Sequence, residues 1–189
     1  MRSAHEAAHM FTTRTPSTFP DRGVTNLRKG RRSESGRVYH VTFATAACEP
    51  LFADWDSACA AARSLAAAGA WRDARLLCWV LMPDHWHGLV ELGASYALSS
   101  VIRRAKGRSA RTINHALSRQ GKAVWAPGFR DHAVRAEEDM ADIARYIVLN
   151  PVRAGLVSRC NEYPFWNAIW LGADDRGSSH SASEPPISS

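Results

Sequence analysis

The 189-residue sequence has few cysteines, almost no lysine and no long apolar run. Its cysteines include no Cys-x-x-Cys pair, which argues against a zinc knuckle or a disulfide framework and favours free buried thiols. These cysteines are Cys48, Cys59, Cys78 and Cys160. No segment approaches the roughly 20 apolar residues of a membrane span, and the N-terminal segment lacks the apolar centre of a signal peptide. We therefore expect a soluble, cytoplasmic protein with no membrane partner.

Positive charge is carried almost entirely by arginine. Only 3 of the 24 basic residues are lysines, and the net charge is +6. The planar arginine side chain offers several N–H donors that fit phosphates, and it stacks on bases. Between residues 101 and 135, nine basic residues accompany a single acid, Asp131. This concentration predicts a surface for a polyanion such as DNA.

The pattern of the chain predicts one folded domain over residues 37–167 between two tails. Residues 1–36 are polar and end in a basic run, which indicates a flexible basic arm, and residues 168–189 are rich in Ser, Gly and Pro, which indicates disorder. Periodicity predicts strands at 38–45, 74–82, 85–92 and 129–135 and helices at 54–70, 96–118 and 137–149. This order is typical of an α+β fold, a ferredoxin-like split βαβ antiparallel sheet with an appended C-terminal helix.

Two histidines, His85 and His87, open the third predicted strand. Alternation along a strand places both imidazoles on one face, with Trp86 on the other, so the two rings can share one divalent cation. The preceding Pro83-Asp84 turn places them near an edge or opening of the sheet. The spacing alone is a weak signal, and one structural plus one surface histidine is an equal alternative.

Tyr146 falls on the polar side of the last predicted helix, together with Asn150 one turn later. The phenol is therefore available as a nucleophile, and the amide of Asn150 as a third metal ligand. The apolar stripe of the same helix consists of Met140, Ile143, Ala144 and Ile147. A tyrosine that only packs its ring, and an asparagine that only caps a helix starting at Pro151, are the structural alternatives.

Other histidines and aromatic residues have less specific patterns. His132 could approach the site from a neighbouring strand, whereas His40 and His115 are expected to be structural or exposed. Trp125 and Phe129 flank a Pro-Gly turn among basic residues and could stack unpaired bases, although core packing is the commoner role of such side chains.

Two motifs carry a family resemblance. Residues 82–87, Met-Pro-Asp-His-Trp-His, resemble the His-hydrophobic-His (HUH) motif of the IS200-like single-tyrosine transposases. Residues 146–157, Tyr-Ile-Val-Leu-Asn-Pro-Val-Arg-Ala-Gly-Leu-Val, resemble the signature of the REP-associated tyrosine transposases. The resemblance covers about residues 37–167. Related mobile transposases carry glutamine where Asn150 stands, and this departure is shared with the REP-associated branch.

The resemblance implies a metal-dependent enzyme that nicks and transfers single-stranded or hairpin DNA, such as repetitive extragenic palindromes, through a 5′-phosphotyrosine. It assigns Tyr146 as the nucleophile and His85, His87 and Asn150 as ligands of Mg²⁺ or Mn²⁺. The residues expected to contact DNA are Arg103, Arg104, Lys106, Arg108, Arg111, Trp125, Phe129, Arg130, His132 and Arg153. A monomer or homodimer associated with the nucleoid is expected.

Two other functions are compatible with the same residues. The first is a decayed module that binds hairpin DNA without cutting it. The second is a small metal hydrolase that activates a water molecule, for which Tyr146 would be dispensable.

Overall fold

The computed structural model describes residues 34–135 and 138–170, and its centre is an antiparallel sheet of five strands. The strands are β1 (Val38–Ala44), β2 (Ala74–Leu81), β3 (His85–Leu92), β4 (Arg130–Ala133) and β5 (Trp166–Ala168), in the spatial order β4-β1-β3-β2-β5. The helices are α1 (Trp55–Ala66), α2 (Leu98–Ala116), α3 (Met140–Val148) and the short α4 (Asn150–Arg153). The first four strands with α1 and α2 form the ferredoxin-like order, so the expected fold class is confirmed.

One face of the sheet is apolar and is covered by α1 and α2. On β1, Val41 and Phe43 are buried on this face, and Phe43 stacks on Trp86 of β3 with ring centroids 4.8 Å apart. Helix α2 lies above them, since Nζ of Lys106 is 5.7 Å from the centre of the Phe43 ring. Helix α1 packs beside α2. This layer therefore contains most of the aromatic core.

Helix α3 packs on β2, β3 and β5 from the opposite face. The side chain of Asp139 accepts a hydrogen bond from the N–H of Ala141 and so caps the start of the helix. Ala144 is buried, and its carbonyl accepts a weak hydrogen bond from the Cys78 thiol of β2 at 3.8 Å. Met140, expected in the apolar stripe, is 39% exposed because it is the first residue of the helix. The resulting molecule has a helical layer on each side of the sheet.

Several boundaries differ from the sequence expectation. Helix α1 ends at Ala66 because Ala67 is extended, and a separate 3-10 turn covers Ala68–Ala70. Helix α3 ends at Val148, so Asn150 begins α4 instead of continuing the helix of Tyr146. Strand β5 was not expected at all. Its last residue, Ala168, assigned to the tail by composition, is buried and paired with Cys78.

Residues 1–33 and 171–189, which make up most of the expected arm and tail, lie outside the described residues. At the described end of the arm, Gly36 is attached to the sheet, since its N–H donates to the carbonyl of Leu92 at 2.7 Å. Over the described ranges, no helix combines the length and apolar character needed to cross a membrane.

Candidate active site

The strand register brings polar residues of three strands onto the face that carries α3. His87 of β3 is paired with Thr42 of β1, and Thr42 with Arg130 of β4. Two residues before Thr42 on β1, His40 is paired with His132 of β4. Residues directly opposite each other project to the same face, and so do residues two apart in one strand. These side chains and His85 therefore share one surface.

Hydrogen bonds to Nδ1 orient both motif imidazoles. Oδ1 of Asp84 lies 2.5 Å from Nδ1 of His85, and Oγ1 of Thr42 lies 2.8 Å from Nδ1 of His87. The two imidazole rings meet edge to face, with centroids 4.7 Å apart. A metal-binding histidine commonly gives its second ring nitrogen to an oxygen in this way. Nε2 is therefore the nitrogen that each ring would use to coordinate a cation.

Burial keeps the inner imidazoles neutral. Desolvation, with smaller contributions from the neighbouring His85 and His40, holds the pKa of His87 well below its usual 6.5. Desolvation and the nearby His132 lower the pKa of His40 to about 4. The neutral imidazole is the form that binds a metal ion. Burial thus keeps His87 in the form that could coordinate a divalent cation at neutral pH.

Tyr146 extends from α3 toward these histidines. Its ring lies edge-on to His40, with centroids 6.4 Å apart, and Nε2 of His40 is 3.3 Å from Nδ1 of His87. The guanidinium carbon of Arg153 is 4.3 Å from the centre of the Tyr146 ring, a cation–π contact. With 43% of its surface exposed, the tyrosine is open to a large substrate. The structure thus brings the expected nucleophile close to the imidazole cluster.

Asn150 is partly engaged in holding the end of α3. Its Nδ2 donates to the backbone carbonyls of Tyr146 and Ile147, each at 3.1 Å. Its side chain does not cap α4, whose first turn has no side-chain cap. Because the amide nitrogen donates to the helix, Oδ1 is the atom that would serve a cation. Within residues 34–135 and 138–170, no group of three or more His, Cys, Asp or Glu could hold a metal ion, so a third protein ligand would be of another type.

Two of the expected DNA contacts are structural residues instead. Trp125 is 8% exposed and donates from Nε1 to Oγ of Ser109 at 2.9 Å, so it is part of the core and is no platform for bases. Lys106 donates its ammonium to the carbonyls of Ala126 and Gly128 at 2.7 and 2.5 Å and thereby fixes that loop. Both residues lie among basic neighbours in the sequence, but their side chains are directed inward.

The other expected DNA contacts lie on two sides of the sheet. Arg130, His132 and Arg153 accompany Tyr146, and the ring of His132 is also hydrogen-bonded to Glu138 at 2.9 Å. The arginines of α2 are exposed on the layer opposite Tyr146. These are Arg103, Arg104, Arg108 and Arg111. Phe129 is half-buried against the core.

Three residues of the site were missed or given a structural role from the sequence: His40, Thr42 and Asp84. His40 and Thr42 have the same two-residue spacing as the motif histidines. That signal becomes informative only once β1 is known to pair with β3 in this register. Asp84 was interpreted as a turn residue, and its contact with His85 depends on the conformation of that turn.

A family model described as "Transposase IS200 like" matches residues 34–150, which is more than half of the chain. The chain belongs to the IS200-like transposase family. The matched range contains both motif histidines, Tyr146 and Asn150. The resemblance inferred from the two motifs is therefore confirmed.

Two curated relatives of this chain carry a more specific family name. The REP-associated tyrosine transposase of Escherichia coli (strain K12) is 33% identical over 88 residues, which cover 46% of this chain and 50% of that protein. A relative from Haemophilus influenzae with the same family name is 28% identical over 94 residues, covering 45% of this chain and 53% of that protein. The chain thus spans about half the length of the curated relatives it matches.

A solved structure of a REP-associated tyrosine transposase bound to a REP hairpin has a similar fold. It aligns with a TM-score of 0.60 over 84% of this chain and 97% of that chain, at 24% sequence identity. At this identity the match shows the shared fold.

Proposed function

We propose that this chain is a metal-dependent tyrosine transposase or endonuclease that nicks and rejoins single-stranded or hairpin DNA. The observation that carries the proposal is the joint placement of Tyr146, Arg153 and the two oriented imidazoles of His85 and His87 on one face of the sheet. Membership of the family supports the reaction class. The name of the Escherichia coli relative, and the hairpin bound by the structural relative, support REP-like hairpins as the substrate class.

The reaction begins with attack by the phenol of Tyr146. Its oxygen bonds to the phosphorus of a phosphodiester while the bond from phosphorus to the 3′ oxygen breaks. The phenol loses its proton, the departing 3′ oxygen gains one, and the products are a 5′-phosphotyrosine and a free 3′-hydroxyl. Attack by a DNA 3′-hydroxyl reverses these bond changes and joins strands without a nucleotide cofactor, since the phosphotyrosine retains the energy of the original bond.

The residues around Tyr146 orient the reacting groups. Arg153 stacks on the phenol ring, and its guanidinium can donate to phosphate oxygens beside it. Arg130 adds a second cation on the same face, opposite Thr42. His85 and His87, through Nε2, with Oδ1 of Asn150, would hold Mg²⁺ or Mn²⁺, and imidazole ligands suit manganese at least as well as magnesium. A cation bound there would polarise a non-bridging phosphate oxygen.

The decisive experiment is a search for the covalent intermediate. The protein is incubated with Mn²⁺ and an end-labelled DNA hairpin that has single-stranded flanks, and a protein–DNA adduct is sought on a denaturing gel. Tyr146→Phe should abolish the adduct and the nick while leaving hairpin affinity within a few-fold, because only the nucleophilic oxygen is lost. Tyr163→Phe is the matched control, since the hydroxyl of Tyr163 is buried and donates to the carbonyl of Leu81.

The two rival functions give different results in this assay. Nicking by Tyr146→Phe without an adduct would identify an activated water as the nucleophile and the protein as a metal hydrolase. Hairpin binding by the wild type with neither nick nor adduct would identify a decayed binding module. His85→Ala and His87→Ala should each reduce nicking and weaken the response to added Mn²⁺. Chelation of the wild type should reproduce the loss.

We also propose that the active unit is the domain from residue 37 to about residue 169, acting as a monomer or homodimer near the nucleoid. The inclusion of strand β5 supports the later boundary. Light scattering of the purified protein with and without hairpin DNA measures the oligomeric state. A truncation after residue 165 should lose stability, because it removes the edge strand paired with β2.

A further inference from the structure

A cleft of about 270 Å³ opens where β2 begins, β3 ends and α2 starts. Its lining residues are Arg72, Tyr96, Ser100, Val101, Arg103 and Arg104. Three of these six are arginines and none is acidic, so the lining itself carries positive charge. Tyr96 is 48% exposed. An open, cationic cleft with an exposed aromatic ring is suited to an anion that carries a flat group.

The loop that presents Tyr96 is held rigidly by Asp73. The Asp73 carboxylate accepts hydrogen bonds from the N–H groups of Ser95 and Tyr96, both at 2.7 Å. Its carbonyl accepts the N–H of Gly93, also at 2.7 Å, and a Cβ at Gly93 would approach Asp73 atoms to 2.4 Å. Asp73 itself has φ of 63°, a conformation that costs energy in a residue other than glycine. These bonds hold the backbone of the loop from which the Tyr96 side chain extends.

The cleft and the nucleophile lie on opposite sides of the sheet. His40, the ring that Tyr146 contacts, is paired with Leu89 of β3, three residues before Leu92 at the cleft. The separation along the strand is therefore only about 10 Å, and the sheet itself divides the two places. On the neighbouring strand, Arg72 comes two residues before Ala74, the partner of Leu92. The α2 arginines of the cleft also belong to the layer opposite Tyr146. The cleft is therefore a separate site from the imidazole cluster.

We propose that this cleft binds one unpaired nucleotide of the DNA, with its base on the Tyr96 ring and the adjacent phosphates on Arg72, Arg103 and Arg104. Arginine is suited to phosphate oxygens by its planar set of donors. Aromatic rings bind bases by stacking with little sequence preference, because every base has a π face. The start of α2 adds a favourable dipole for the phosphate. The proposal rests on the proposed function for its ligand and adds a contact across the sheet from the scissile bond.

The test compares two probes, a labelled oligo-dT and a strand of equal length without bases. Both are titrated by fluorescence anisotropy into protein carrying Tyr146→Phe, which prevents covalent capture. In that background Tyr96→Ala should weaken oligo-dT binding about five- to tenfold and leave the abasic strand unchanged. Tyr96→Phe, which keeps the ring, should bind like its parent.

The arginines are tested with the same two probes. Arg72→Ala should weaken both strands and reduce the slope of log affinity against log salt by about 0.7, the share of one phosphate contact. Arg63→Ala removes an equal charge from an exposed position of α1 outside the cleft and should leave affinity and slope unchanged. Thermal unfolding of each variant establishes that it is folded.

Three results would overturn the proposal. Equal losses in Arg63→Ala and Arg72→Ala would mean that the charge acts diffusely. A second is that Tyr96→Ala weakens binding of the abasic strand as much as binding of oligo-dT, or changes neither. Either outcome would show that no base binds on the Tyr96 ring. Binding of thymidine monophosphate as tight as that of the oligonucleotide would make a free nucleotide the ligand. Failure of adduct formation in the wild type would refute the proposed chemistry without changing these affinities.

Discussion

At the scale of single residues, the site depends on which nitrogen of His87 carries the proton. If Nδ1 carries it, the ring donates to Oγ1 of Thr42 at 2.8 Å, and Nε2 has a lone pair for a cation. If Nε2 carries it, the ring cannot bind a metal at that atom. Nε2 of His40 also lies 3.3 Å from Nδ1. The Thr42 hydroxyl can pair with Nδ1 in either tautomer, so its contact fixes the orientation of the ring that presents Nε2.

Replacement of Thr42 should consequently change metal affinity without removing a ligand. We expect Thr42→Val, which has nearly the same shape, to weaken Mn²⁺ binding about 10- to 100-fold. Thr42→Ser keeps the hydroxyl and should bind like the wild type. Isothermal titration with Mn²⁺, in the absence of DNA, measures both. Equal affinities of the Val and Ser variants would show that Thr42 does not orient the imidazole.

The low pKa of His40 predicts a loss of stability in acid. In the unfolded chain its pKa is near 6.5, whereas in the folded protein it is about 4, so between these values the unfolded state binds more protons. The free energy of unfolding should therefore fall as the pH drops from about 6.5 toward 4. Urea denaturation in chelator at pH 7 and pH 5 measures the difference, and His40→Phe should reduce it. An unchanged difference in that variant would assign the effect to other groups.

At the scale of secondary-structure elements, Asn150 is both the residue that holds the end of α3 and the proposed third metal ligand. Its Nδ2 stabilises the last turn of α3, which carries Tyr146, while Oδ1 is the atom left for a cation. An aspartate at this position cannot donate to the helix carbonyls, and its charge is unfavourable at a helix C-terminus. A carboxylate is, however, a better ligand for Mg²⁺ or Mn²⁺ than an amide.

Substitutions of Asn150 should therefore separate the two roles. Asn150→Asp should lower the free energy of unfolding by about 1–2 kcal/mol and retain or raise Mn²⁺ affinity. Asn150→Ala should lower both, with a smaller effect on metal affinity than His87→Ala, because water can replace one ligand of a hard cation. Thermal unfolding and Mn²⁺ titration of the same samples measure the two quantities. If Asn150→Asp and Asn150→Ala bind Mn²⁺ equally well, Asn150 is a helix residue only.

The elements themselves were largely predictable, and their contacts were not. Alternation and helical periodicity located four strands and three helices, because each buries one face against the core. Strand β5 has three residues, too few for a periodic signal, and it forms by pairing with β2. The inward direction of Trp125 and Lys106 likewise depends on tertiary contacts, with Ser109 and with two loop carbonyls. Tyr146 and the pair His85 and His87 each lie in a motif within one segment, so the sequence predicted them. The place of His40 and Thr42 beside the histidines could be predicted only from the register of β1 on β3.

At the scale of the whole molecule, positive charge is divided between the two sides of the sheet. Arg130 and Arg153 lie on the face of Tyr146, where the proposed reaction would take place. The exposed arginines at spacings of four and three along α2 form a second positive surface behind the sheet. These are Arg104, Arg108 and Arg111. The two groups should therefore have different effects on the reaction.

A triple variant of the α2 arginines should weaken DNA binding without slowing the chemical step. Replacing Arg104, Arg108 and Arg111 with alanine should flatten the log–log salt dependence by about 2 for single strands, at about 0.7 for each phosphate contact, and raise KM. At saturating DNA its cleavage rate should equal that of the wild type, because none of these side chains is on the catalytic face. Arg153→Ala should instead lower kcat with a smaller change in salt slope. Cleavage kinetics measure kcat and KM, and anisotropy at several salt concentrations measures the salt slope. A triple variant with wild-type salt dependence would show that α2 is a solvated surface with no contact to DNA.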